Sequence, residues 1–167
     1  MEVLIKQSVN DDVSDGTKTY LFSCLTADSL GPALVEKGCP QYFGYKSEWT
    51  FIFHPDYENK PLEDPYARAF FDSGLATGYA LLLGKSPLEV YNLTIERYNY
   101  WWDYWMKQDD PFADDILTWL NWDKRNFVGL IPGGTPMEEP AVASLQIPSF
   151  VLPLGAAGIL LFLLSRA

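Results

Sequence analysis

Short apolar runs alternate along this chain with longer stretches in which apolar residues recur every third or fourth position, the pattern of strands interleaved with helices. Tyr20-Leu21-Phe22 predicts a buried strand, which stops where small and hydroxylated residues take over at Ser23-Cys24-Leu25-Thr26. Asp28 or Ser29 then caps a helix carrying Leu30, Ala33, Leu34 and Val35, and Gly38 supplies the left-handed residue that ends it. Residues 41–45 predict a second strand. A strand, a helix and a strand in that order favour a parallel pair with a right-handed crossover.

The same reading covers the rest of the chain. Residues 2–9 predict a first short strand, residues 10–17 a polar turn, and residues 49–53 a further strand ahead of an acidic, proline-containing loop. Asp64-Pro65 opens a helix that runs to Leu83 and stops at Gly84. Ser86 and Glu89 form a capping box for the next helix, whose Leu88, Tyr91, Ile95, Tyr98, Trp102 and Trp105 share one face. Asp110-Pro111 caps a last helix through Trp122, with Asp114 and Asp115 in its first turn, and residues 126–131 predict a last strand. Pro132-Gly133-Gly134 closes a domain of residues 1–134, and residues 135–146 read as a spacer.

Residues 147–164 contain no charge and, at about 1.5 Å per residue, are just long enough to cross a bilayer core as a helix. The expected organisation is therefore an α/β domain, a linker, and one transmembrane helix over residues 147–165, with the membrane as a partner. A buried core helix is the plain alternative, and it would need a partner surface around its whole girth. Arg166 biases the tail end toward the cytoplasm and the domain toward the outside, with a cytoplasmic tail-anchored domain as the alternative. Residues 3–5 are too short an apolar run for a signal peptide.

Composition narrows the function classes. A chain of 167 residues with 48% hydrophobic content can build one packed core, and its net charge of −10 argues against nucleic acid, which needs a basic surface. Cys24 lies at the end of one strand and Cys39 near the start of the next, so the intervening helix should hold them at opposite edges of the sheet, and both are expected to be free thiols. The lone histidine, His54, has no second histidine at metal-site spacing, and the aspartates near residue 110 are explained by helix capping, so no metal and no cofactor are expected.

Cys24 is the candidate for chemistry. A thiol at the carboxyl end of a sheet strand is accessible and lies near amides that can stabilise an oxyanion. It needs a base, and His54, thirty residues on, is not placed beside it by anything in the sequence. The bland reading is a structural cysteine. The aromatic cluster at residues 98–105 likewise reads first as core, and secondarily as a docking surface through Trp101 and Tyr104.

The run Leu21-Phe22-Ser23-Cys24-Leu25-Thr26, with residues 30–38 and Tyr42-Phe43-Gly44-Tyr45, resembles the segment around the nucleophile in caspase-fold cysteine peptidases, especially the gingipain-type branch. Residues 120–123 and 127–130 look like the end of that catalytic domain. The resemblance spans residues 19–134 and implies a caspase-like parallel sheet flanked by helices. It makes Cys24 the nucleophile, with its own N–H as an oxyanion donor, and a protein or peptide the substrate. That family takes its histidine from an earlier strand, and no histidine precedes Cys24 here. The expectation is a domain incomplete at its N-terminus, completed by an upstream segment or an N-terminal half-domain partner. Ile147-Pro148-Ser149-Phe150 with the apolar span resembles a sortase-type C-terminal sorting signal. The competing expectation is a non-catalytic, membrane-anchored binding or structural module. Exposure of Cys24 at the sheet's edge separates the two.

Overall fold

The structure, a computed structural model, describes residues 5–60, 63–138 and 160–166, the last seven as backbone. It is a mixed α/β fold. Strand β1 (Thr17–Phe22) leads through α1 (Leu30–Glu36) into β2 (Tyr42–Tyr45), which pairs parallel to β1 with Thr19 opposite Tyr42 and Tyr20 opposite Phe43. The helices α2 (Pro65–Leu82), α3 (Pro87–Trp105) and α4 (Ala113–Asn126) follow, and β3 (Phe127–Leu130) lies antiparallel on the outer side of β2. A fourth strand, β4 (Leu160–Arg166), runs antiparallel along the other side of β1, giving the order β3-β2-β1-β4.

Alternation along the strands sorts side chains into two layers. Tyr20, Phe22, Phe43, Tyr45 and Phe127 face α2 and α3, while Leu21, Tyr42 and Val128 face α1 and pack on Leu34 and Cys39. A further cluster, made by Tyr66, Phe70, Tyr98, Trp101, Trp105, Ile116 and Leu120, holds the three long helices together. Small residues on α2 allow the close approach to the sheet: a Cβ on Gly74 would stand 2.6 Å from the Phe22 ring.

Helix ends follow the signals in the sequence. Asp64 caps α2 by accepting the Tyr66 and Ala67 N–H groups, and Pro65 takes the first helical position, where a missing N–H costs nothing. Ser86 and Glu89 complete the capping box of α3. Gly38 and Gly84, each just past a helix, have φ of +100° and +70°.

Several expectations are corrected. Residues 5–9 form turns rather than a strand, residues 2–4 of that stretch lying outside the described residues. Residues 49–53 belong to no strand of the sheet. The last α-helix begins at Ala113 rather than at Asp110-Pro111: the Phe112 N–H donates to the Asp110 carboxylate and the Ala113 N–H to the Asp110 carbonyl, so residues 110–113 form a turn ahead of it, and the Tyr66 hydroxyl donates to the same carboxylate. On α3, Leu88 is exposed and Trp101 is buried, its Nε1–H donating to Asp72 at 2.7 Å. At the start of the expected spacer, Met137 pairs with Gly129 and Glu138 forms an ion pair with Lys46, while residues 139–146 lie outside the described residues. Of the expected membrane segment, residues 147–159 lie outside the described residues, and the backbone from 160 to 166 is strand β4. Among the described residues, no helix is long and apolar enough to cross a membrane.

Candidate functional site

Cys24 lies two residues beyond the carboxyl end of β1, half-buried, beside a parallel neighbour. The pairing of the two chains continues past the strands: the Ala27 N–H donates to the Tyr45 carbonyl and the Leu25 N–H to the Ser47 carbonyl, each at 3.0 Å. Leu25, directly after the cysteine, sits at φ +59°. A bulky residue in the left-handed region is strained by about 1–2 kcal/mol, and such positions persist where the surroundings fix them, often at functional turns. Here the Ser47 hydrogen bond and the Thr26 hydroxyl, which donates to the Ser23 carbonyl at 3.1 Å, fix it.

The thiol is held by one residue. The Trp49 N–H donates to the Cys24 sulfur at 3.3 Å, and the S–H reaches back to the Trp49 carbonyl at 3.7 Å. The Trp49 ring is fixed in turn by an edge contact with Phe22 at 4.5 Å and contacts with Phe71 and Phe51 at 5.2 and 5.5 Å. Thr50, the next residue, donates its N–H to Asp123 Oδ1 at 3.0 Å. Asp123 is fully buried and its Oδ2 has no partner among the described residues; burial pushes this carboxyl well above its ordinary range, with the Thr50 N–H opposing.

His54 is placed elsewhere. Its N–H donates to Asp64 Oδ2 at 2.8 Å, its Nδ1 accepts the Asp56 N–H at 3.1 Å, and its ring stands edge-on to Tyr57 and Tyr66. The imidazole thus caps a short 3-10 turn (Pro55–Tyr57) and is not brought to the thiol. Cys39 is at the other end of β1, fully buried, its thiol within 3.2 Å of the Thr17 and Gln41 carbonyls, and burial raises its pKa. Both thiols are free. Among the described residues, no group of three histidine, cysteine or carboxylate side chains is placed to hold a metal ion.

Beyond the Trp49 ring lies an open groove of about 260 Å³, lined by Phe51, Phe53, Tyr57, Phe71 and Ala67 with Glu58 and Asp64. Phe51 and Phe53 are exposed, while Trp49 and Ile52 pack toward the helices. Sequence reasoning missed Trp49, Asp123 and this groove. Asp123 alone carried a readable signal: it falls on the apolar face of α4 set by Ile116 and Leu120, at spacings of four and three, where a carboxylate has to find a buried partner. Comparison with known proteins adds no identity: no family model, no curated protein and no solved structure matches this chain.

Proposed function

We propose that this chain is a membrane-anchored, cysteine-peptidase-like domain in which Cys24 occupies the nucleophile's position and is unactivated until a proton acceptor is supplied. The observation that carries the reading is the half-buried Cys24 thiol past the carboxyl end of β1, next to a left-handed Leu25. The mixed sheet with β3 antiparallel at one side, and helices on both faces, supports a caspase-like arrangement. No imidazole among the described residues touches the thiol, so the base comes from a histidine-bearing segment or partner docked at the carboxyl rim of the sheet.

The chemistry this would support is acyl transfer. The base takes the thiol proton, the sulfur attacks the scissile carbonyl carbon, and the C–N bond breaks as the amine leaves with that proton. Water then cleaves the thioester, restoring the thiol. The N–H of Cys24 is one oxyanion donor in this reading. The anchor rests on the uncharged run over residues 147–164, whose insertion takes residues 160–166 off the side of β1.

The test is labelling by a thiol-directed peptidase probe. The full chain alone should label slowly or not at all, and adding a histidine-bearing upstream segment should produce labelling that Cys24→Ala abolishes. Absence of labelling under every such condition would favour the competing class, a binding module in which Cys24 only ties the turn to Trp49. For the anchor, the full chain should stay with membranes through an alkaline wash and a chain ending at Glu138, which keeps the Met137 and Glu138 contacts, should not; release of both would remove the membrane from the proposal.

A further inference from the structure

We propose that the aromatic groove beside Trp49 is a subsite for one large uncharged apolar side chain, leucine or phenylalanine, of an extended peptide; this rests on the reading of Cys24 as the nucleophile. Three features lead there. The groove, at about 260 Å³, falls below the roughly 300–1,000 Å³ of small-molecule and cofactor pockets and suits a single side chain. Its walls are the rings of Phe51, Phe53, Tyr57 and Phe71, with Phe51 and Phe71 centroids 5.1 Å apart. One residue links it to the thiol: the Trp49 ring contacts both Phe51 and Phe71 of the groove wall, while the Trp49 main chain holds the Cys24 sulfur.

Charge decides among side chains. Two carboxylates border the groove, yet Asp64 already accepts the N–H groups of His54, Tyr66 and Ala67, so its charge is directed into the cap of α2. Glu58 is exposed at the rim, and a solvent-facing ion pair there would add little for a lysine or arginine. An acidic side chain would meet two carboxylates and no cation in the lining. An uncharged apolar side chain loses nothing polar and covers Phe51 and Phe53, which stand 42% and 45% exposed.

Blocked tetrapeptide amides differing at one position test this on the full chain carrying Cys24→Ala, with tryptophan fluorescence as the readout. Leucine and phenylalanine peptides should bind about tenfold more tightly than arginine or aspartate peptides, and Phe53→Ser, at an exposed position, should remove the difference. Tightest binding of the arginine or aspartate peptide, no binding of any peptide, or indifference to Phe53→Ser would overturn the subsite. So would a dimer of this chain that forms through the groove and is lost in Phe53→Ser. Reactive ketones built on the same peptides, offered to the wild-type chain with a histidine-bearing segment, separate the two claims. Apolar preference without labelling leaves the subsite standing and removes the nucleophile, whereas labelling with arginine preference does the reverse.

Discussion

Asp123 and Thr50 are joined across 73 residues of sequence by a hydrogen bond from the Thr50 N–H to Oδ1, which fixes the residue next to the one that holds the Cys24 sulfur. The carboxyl group lies on the buried face of α4, in line with Ile116 and Leu120. Residues 49–53 belong to no strand, and for the Thr50 amide this side chain supplies an acceptor where a neighbouring strand would have. The turn at the carboxyl rim of the sheet is thereby tied to the helical layer.

Removing Asp123 should therefore loosen that tie. Asp123→Ala leaves the Thr50 amide unpaired and a gap beneath it, at a cost of about 1–3 kcal/mol in urea unfolding. Asp123→Asn keeps an acceptor, and its effect should depend on pH. The carboxyl's ordinary value is 3.8 and burial raises it in the folded chain, so between the two values the folded chain holds the extra proton. The stability this group contributes is complete below 3.8 and is lost as pH rises through the folded value. Asp123→Asn should gain on the wild type as pH rises above about 4. A pH-independent difference between the two proteins would rule out a buried neutral acid.

The two thiols should differ sharply in reactivity. Cys24 is half-buried in a turn, whereas Cys39 is fully enclosed beneath α1 with its pKa raised by burial. Brief alkylation of the native chain should modify one cysteine, and peptide mapping should place it at Cys24. Denaturant should expose the second. Equal modification of both in the native chain would contradict the packing of Cys39 against Leu34 and Tyr42.

How far the sequence could be read follows from where each signal resides. The α2 cap at Asp64, the Ser86-Glu89 box and the glycines at 38 and 84 act on backbone a few residues away, and each does in the structure what its spacing implies. The parallel pairing of β1 with β2 followed from a short helical crossover, which is also local. Residues 49–53 have strand composition, but whether an extended segment joins a sheet depends on which partner is free, and here a carboxylate 73 residues away takes the amide. Trp101 is core, as the aromatic cluster was first read, although it lies off the apolar stripe of α3: its indole N–H donates to half-buried Asp72 on α2, a partner the stripe does not show. The thiol's position at the strand end was legible; its clasp by Trp49 was not, because main-chain groups look alike in every residue.

Two glycines on one helix should respond oppositely to the same substitution. Alanine is favoured over glycine in a helix interior by about 1 kcal/mol. At Gly78 an added Cβ would meet nothing nearer than 4.0 Å, so Gly78→Ala should stabilise by up to about that amount. At Gly74 it would stand 2.6 Å from the Phe22 ring, which is itself wedged against Trp49 and Phe71. Overpacking of that kind costs about 1–3 kcal/mol, so Gly74→Ala should be the less stable protein. Thermal unfolding of the pair settles the sign at each position, and a gain at Gly74 would mean that α2 and β1 are farther apart than described.

The buried tyrosines offer a test of cooperativity in the core. The Tyr45 and Tyr98 hydroxyls share a hydrogen bond of 2.9 Å, the Tyr20 hydroxyl lies 3.5 Å from that of Tyr45, and it donates to the Gly74 carbonyl at 2.9 Å. All three are enclosed, and burial raises each pKa well above the usual tyrosine value, so the hydroxyls remain protonated donors throughout the ordinary pH range. Tyr45→Phe or Tyr98→Phe alone takes the 2.9 Å partner from the other hydroxyl and should cost about 1–3 kcal/mol. Changing both removes the second hydroxyl along with the first, so the double variant should be more stable than the sum of the singles by about 1 kcal/mol in a double-mutant cycle. Strict additivity would show that the two hydroxyls do not depend on one another, and that β2 and α3 are held together by ring packing alone.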